Sequence, residues 1–262
     1  LPALTIIPTI NGTGHRSRDL SNNNHPELLI DPKTSAILVE AYRQLRTSVL
    51  LSSLGPTTRT ILVSSSLPVE GKTTTAINFA FSLAQTGAKV LLVDADLRRP
   101  RIHSVFGVEN KHGLSEILSN DLAEKEIMEA VVAHTQSGLF IVTSGSTPAK
   151  PTELIGSDQM RRFIKTMQGS FTHIVFDSPP IAPCTDSVVL SSMVDGVLLV
   201  VHGGKTSQRI VRRSQQVIQD VGGHIFGVVL NNTNVAADDD YYYSHRYTEY
   251  YSSETRLSDG SN

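Results

Sequence analysis

Lys72 lies in the run Ser64-Ser65-Ser66-Leu67-Pro68-Val69-Glu70-Gly71-Lys72-Thr73-Thr74, directly after the apolar stretch Thr60–Val63. A small-residue loop ending in Gly-Lys-Thr, between a strand and a helix, is the P-loop pattern. Backbone N–H groups surround phosphates at the helix N-terminus, where the dipole favours anions. In that pattern Lys72 reaches the β- and γ-phosphates and the Thr73 hydroxyl ligates Mg²⁺. Ser66 occupies the position of the first consensus glycine, which requires permissive backbone angles there. The competing reading is an ordinary helix start behind a Ser-rich turn; Gly71-Lys72-Thr73-Thr74 after an apolar strand argues against it.

Two further apolar runs end in carboxylates. Val90-Leu91-Leu92-Val93-Asp94-Ala95-Asp96-Leu97-Arg98-Arg99 presents alternating aspartates at a strand's carboxyl end, where α/β sheets bind ligands. Ile174-Val175-Phe176-Asp177-Ser178-Pro179-Pro180 ends like a Walker B strand. Each alone reads equally well as a solvated turn. Three such strand ends in one chain imply a Mg²⁺–nucleotide site.

The elements that must position these residues follow from the hydrophobic pattern. Apolar runs at Thr60–Val63, Val90–Val93, Leu139–Val142, Ile174–Phe176, Val197–Val201 and Ile225–Leu230 are nearly unbroken, as in strands buried on both faces. Helical spacing fills the intervals: Thr73–Thr86 stopping at Gly87, Asp158–Gln168, and Ser207–Val221. An earlier helix has Ser35 as N-cap, with Ile37, Leu38, Ala41, Leu45 and Val49 on one face. Alternating strands and helices predict a doubly wound, mostly parallel α/β sheet with right-handed crossovers, a P-loop NTPase fold. Residues 1–31, rich in Asn, Thr, Ser and Gly, read as a linker or extended arm. Residues 32–234 read as the catalytic domain, and 235–262 as a flexible tail.

Six of the seven tyrosines fall in that tail: Tyr241, Tyr242, Tyr243, Tyr247, Tyr250 and Tyr251, directly after Asp238-Asp239-Asp240. Without apolar neighbours they cannot build a core, and each presents a hydroxyl. A net charge of −2 over 262 residues offers no field for nucleic acid, so no nucleic-acid partner is expected. A single cysteine, Cys184, excludes an internal disulfide and fits a reducing compartment. No charge-poor stretch of about 18 residues is apolar throughout, so no membrane span is expected.

The P-loop, Asp-x-Asp-x-Arg and Asp-x-Pro motifs together resemble the bacterial tyrosine kinases (BY-kinases) of capsule and exopolysaccharide synthesis. Glu40, Arg43 and Arg46 match the family's Glu-x-x-Arg-x-x-Arg oligomerisation motif, and Pro151-Thr152-Glu153-Leu154-Ile155-Gly156-Ser157 resembles its Pro-x-Glu-Leu-Leu-x-Ser segment. Leu1–Pro8 resembles the stretch after the second membrane helix of fused kinases. Val69 departs from the family's usual Pro-Gly-Glu-Gly-Lys. Partition ATPases carry a second lysine where this chain has Leu67, so a nucleotide-switched assembly ATPase is the alternative that residue disfavours. A ring scaffold with incidental phosphotransfer is a third reading.

The resemblance implies ATP and Mg²⁺ as cofactors, with Glu70, Gly71, Lys72, Thr73 and Thr74 around the nucleotide. It implies Thr73, Asp96 and Asp177 at the metal and Asp94 as base toward an incoming tyrosine; the two roles of Asp94 and Asp96 are interchangeable at this level. Asn231 is either an adenine contact or a turn residue. The tail tyrosines are implied as autophosphorylation sites in trans within a homo-oligomeric ring, octameric by resemblance. Implied partners are a transmembrane activator, a cognate tyrosine phosphatase and the polysaccharide polymerisation and export machinery, at the inner face of the bacterial plasma membrane. Tyr42, inside the oligomerisation motif, is expected to be structural. Arg209, Arg212 and Arg213 read as surface charge.

Overall fold

A computed structural model describes residues 1–9, 36–52 and 60–233 of the protein. The described chain runs β1 (Ala3–Pro8), α1 (Ala36–Ser52), β2 (Thr60–Ser65), α2 (Lys72–Ala84), β3 (Val90–Asp94), α3 (Ile102–Phe106), α4 (Leu114–Ser119) and α5 (Glu124–Glu129). It continues with β4 (Val132–His134), β5 (Leu139–Val142), α6 (Pro151–Ile155), α7 (Asp158–Ser170), β6 (His173–Asp177), α8 (Asp186–Ser191), β7 (Gly196–His202), α9 (Gln208–Asp220) and β8 (Ile225–Thr233).

Alternation along the strands divides the core in two. Ile61, Val63, Leu92, Val175, Leu198 and Val200 pack on one face with Leu38, Leu45 and Val49 of α1 and Phe79 and Leu83 of α2. Leu62, Leu91, Val93, Phe176, Val197 and Leu199 pack on the other, against Met160, Phe163 and Met167 of α7 and Ile218 of α9. A strand covered on both sides has no reason to alternate polar with apolar, so its sequence is a continuous apolar run. The helices thus lie on both faces of one sheet, the predicted doubly wound arrangement.

The sheet order is β1-β8-β7-β2-β6-β3-β5-β4. Every described pairing is parallel except β4 with β5. The crossovers diverge about β2, which lies between β6 and β7, and this opens a crevice at the carboxyl ends. Register aligns Asp177 with Val63 on one side and with Asp94 on the other, so both carboxylates emerge beside the P-loop.

Two edge strands depart from the sequence reading. Ala3–Pro8, assigned above to a linker or arm, is a strand of the sheet: it pairs with β8 and buries Thr5 and Ile7. As an edge strand it is buried on alternate residues over only a short stretch, and its pairing partner lies more than 200 residues away in sequence. Val132–His134 is a three-residue antiparallel edge whose side chains are exposed or half-buried, and it carries no apolar run. In α1 the buried stripe is Leu38, Ala41, Tyr42, Leu45 and Val49, while Ile37 is exposed. Ser35 and residues 234–262, including all six tail tyrosines, lie outside the described residues.

Candidate active site

Gly71 caps α2 with φ +91° and no side-chain cap. The backbone angle demands glycine, and a Cβ there, 2.0 Å from Asn231 Nδ2, would also displace the Asn231 amide. Val69 is also left-handed, φ +64°, although it is β-branched and 93% exposed. The non-glycine residues with positive φ among those described are Val69 and Asn232, so Ser66 needs no glycine-like conformation. Ser66 is fully buried, its hydroxyl unpartnered, and its carbonyl accepts the Ala182 N–H at 3.2 Å.

Glu70 is buried and turned inward. Its Oε2 accepts the Leu67 N–H at 2.7 Å, closing the loop on itself. Its Oε1 accepts the Thr206 hydroxyl and, at 3.4 Å, the His202 N–H. The Asn231 amide donates to the Glu70 carbonyl at 2.9 Å. The Glu70 carboxylate, expected at the nucleotide, therefore braces the P-loop, because its oxygens are already engaged by groups of the protein. Asn231 lies within β8 and is held against the same loop, so the turn reading does not apply to it.

At the head of α2, Lys72 Nζ lies 3.0 Å from Asp96 Oδ2, 3.8 Å from Asp177 Oδ1 and 3.2 Å from the Thr73 hydroxyl. Burial works to lower the Lys72 ammonium, but the carboxylates of Asp177, Asp96 and Asp94 together leave it raised. Thr74 is half-buried in the same turn, with its carbonyl accepting from Asn78 at 2.7 Å. Asp177 is fully buried and neither of its oxygens has a hydrogen-bond partner. Burial raises its pKa, and the nearby Lys72 and Thr73 only partly oppose this. An orphaned buried carboxylate next to a hydroxyl suits a divalent cation. Mg²⁺ characteristically takes one or two protein carboxylates and completes its shell with phosphate and water.

The two aspartates after β3 are distinguished by their surroundings. Asp96 faces Lys72, and its other oxygen accepts the Arg99 N–H at 3.0 Å. Asp94 is wholly buried, its Oδ2 accepting the N–H groups of Arg101 and Ile102 at 3.0 Å each and its Oδ1 that of Asp96 at 3.3 Å. Burial, followed by the charge on Asp177, pushes its carboxyl up to about 8 despite those amides. The carboxylate proposed by resemblance as the base is thus turned into its own loop, and Asp96 is the one open to the lysine.

Arg98 reaches away from this cluster. Its guanidinium forks onto Asp186 at the start of α8 (Nε to Oδ2 2.5 Å, Nη2 to Oδ1 3.2 Å) and donates to Thr152 at 3.1 Å. Thr152 in turn donates to Asp186. The sequence reading missed Asp186, Thr206 and His202 as supporting residues. Thr152 had a signal in the segment singled out above, and the others had none.

On α1, half-buried Glu40 and exposed Arg43 form a pair at 3.6 Å. Arg46 instead donates to the Ser82 carbonyl at 2.5 Å, capping the last turn of α2. Tyr42 is buried toward α2, which raises its phenol well above the ordinary value. Among the described residues no helix is long and apolar enough to cross a membrane.

Residues 58–223 match the family described as AAA domain. The tyrosine-protein kinase YwqD of Bacillus subtilis (strain 168) is 33% identical over 204 residues, covering 78% of this chain and 85% of that protein. The tyrosine-protein kinase etk of Escherichia coli (strain K12) is 34% identical over 231 residues, covering 87% of this chain but only 30% of its own length. The solved kinase domain of Escherichia coli tyrosine kinase ETK superposes with a TM-score of 0.80 at 30% identity, covering 90% of this chain and 92% of that one. With its P-loop, paired strand-end aspartates and these relatives, the chain belongs to the bacterial tyrosine-protein kinases.

Proposed function

We propose that the protein is an ATP- and Mg²⁺-dependent kinase that phosphorylates its own tail tyrosines, Tyr241, Tyr242, Tyr243, Tyr247, Tyr250 and Tyr251, in trans within a ring. The observation that carries this reading is the buried cluster of Lys72, Asp96 and Asp177 at the head of α2, with one carboxylate unsatisfied. Lys72 would neutralise the β- and γ-phosphates, and Thr73 and Asp177 would hold Mg²⁺. The metal would supply charge neutralisation on the transferring phosphoryl group. The tyrosine oxygen bonds to the γ-phosphorus, the bond to the β–γ bridging oxygen breaks, and ADP leaves. The phenolic proton passes to a carboxylate, for which Asp96 is better placed than Asp94.

The remaining roles complete the proposal. Glu40 and Arg43 present one anion and one cation on an exposed face suited to a heterologous ring contact, with Arg46 fixing α1 on α2. A membrane activator, a tyrosine phosphatase and polysaccharide export machinery are its proposed partners, at the inner face of the plasma membrane. Each phosphate adds about −1.5 to −2 charges beside Asp238–Asp240, which would loosen a ring of such tails.

Incubation with labelled ATP and Mg²⁺ tests this. Label appears on tail tyrosines and is lost in Lys72→Met. Phosphate release without labelled tyrosine would establish the assembly-ATPase alternative instead.

A further inference from the structure

Helix α9 buries Ser214 and Ile218 toward the sheet and turns Arg209, Arg212 and Arg213 to solvent. Positions three and four apart share a helix face, so the three guanidinium groups form one strip. Lys205, exposed in the turn before the helix, extends it. Three other described arginines have partners: Arg98 holds Asp186, Arg162 lies 2.6 Å from Asp121, and Arg46 caps α2. The side chains of Lys205, Arg209, Arg212 and Arg213 make no hydrogen bond or ion pair with any described residue. Asp220, the carboxylate of α9, is at the far end and accepts from Gln216 at 2.7 Å. Four cations without a counter-charge leave a positive strip that an anionic segment would fit.

The chain itself supplies such a segment nearby. Thr233, the last residue of β8, packs on Gly203: a Cβ on that glycine would lie 2.3 Å from the Thr233 hydroxyl. Strand β8 therefore ends against a residue two positions in sequence from Lys205. Asp238-Asp239-Asp240 begins five residues beyond Thr233, within about 17 Å of extended chain. The whole arginine strip spans little more than one helical turn, about 6 Å, so the linking chain is long enough for the acidic run to meet all of it.

We propose that Asp238–Asp240 docks on the Lys205–Arg213 strip of its own chain, and that phosphates on Tyr241–Tyr243 tighten the contact through forked arginine–phosphate bonds. The docking holds for the unmodified tail. Its tightening rests on the kinase reading above, and would withdraw a phosphorylated tail from a neighbour's crevice onto its own α9.

The test is chymotryptic cleavage at the tail tyrosines of the full chain in low salt, carried out in the Lys72→Met background so that phosphorylation does not intervene. Reversing the strip (Arg209→Glu, Arg212→Glu, Arg213→Glu) should speed cleavage about fivefold, as expected for losing a few exposed ion pairs. Reversing the acids as well (Asp238→Lys, Asp239→Lys, Asp240→Lys) should restore protection, which a merely unfolded variant would not show. Unchanged cleavage, with loss of co-sedimentation on phosphatidylserine vesicles, overturns the proposal and makes the strip a membrane surface. A tail unprotected here but labelled in the wild type overturns the docking and leaves the kinase reading standing. A protected tail never labelled by ATP does the reverse.

Discussion

The head of α2 and the braces around it differ in how completely their polar groups are satisfied. Glu70 engages Leu67, Thr206 and His202, and Asp186 receives Arg98 and Thr152. Those carboxylates are buried with their partners already present. Asp177, as deeply buried, has no hydrogen bond to either oxygen, and the Ser66 hydroxyl of the P-loop is equally unpartnered. A buried polar group without a partner is destabilising, so its presence points to a ligand that completes it. The contrast separates residues that hold the site from residues that await charge. Replacement should break the two groups in opposite ways.

Asp177→Asn tests the awaiting group and should have the largest effect. On the proposed role of Asp177 at Mg²⁺, its loss is expected to lower phosphotransfer by at least ~10²-fold. Stability to thermal unfolding without nucleotide should nonetheless exceed the wild type's, by about 1 kcal/mol, because a buried carboxylate without a hydrogen bond is gone while Lys72 keeps Asp96. Falling activity together with falling stability would place Asp177 among the braces. Arg98→Ala tests the holding group. Asp186 would remain buried with only Thr152, but Arg98 is 40% exposed and its charge is screened, so the cost should be about 1–2 kcal/mol. Asp186→Asn in the same chain should recover part of that loss in a double-mutant cycle.

Asp94 belongs to both groups: its oxygens are bonded, yet its charge is unwelcome. Its folded pKa, about 8, lies above its unfolded value near 4. The folded state then binds the proton more tightly, so this contribution is complete below about pH 4 and is lost as pH rises through 8. Asp94→Asn keeps an acceptor for the Arg101 and Ile102 amides without the charge. Its stability relative to the wild type should rise by about 2 kcal/mol between pH 6 and pH 8, measured by denaturant unfolding. A difference independent of pH would mean that Asp94 is ionised throughout.

The same division explains what the sequence made legible. The central strands were readable because burial on both faces leaves unbroken apolar runs, and Lys72, Asp96 and Asp177 because each ends or follows such a run. β1 and β4 were not, since an edge strand needs few apolar residues and its partner is chosen by the fold. Glu70 and Asn231 were found as site residues, but their roles depend on Thr206, His202 and the Glu70 carbonyl, contacts up to 161 residues distant in sequence. Arg98 and Asp186 are 88 residues apart, and no local pattern announces that pair. Motifs record what must meet a ligand; braces are recorded only in the folded chain.

Val69 stands where the two groups meet, and it carries the smallest predicted effect. The Leu67 N–H to Glu70 carboxylate clasp closes the turn around it, and its φ of +64° is a conformation that β-branched residues avoid. At 93% exposure it gains nothing from packing in return. The left-handed conformation costs an L-residue about 1–2 kcal/mol, while glycine loses more chain entropy on folding, so Val69→Gly should stabilise by a net ~0.5–1 kcal/mol. That corresponds to roughly 2–3 °C in Tm for a domain of this size. If the clasp imposes the strain, the gain should shrink in a Glu70→Ala background, where the turn is free to open and valine can leave the left-handed region. An equal gain in both backgrounds would mean that the loop's conformation is set at Gly71 and Asn231 instead.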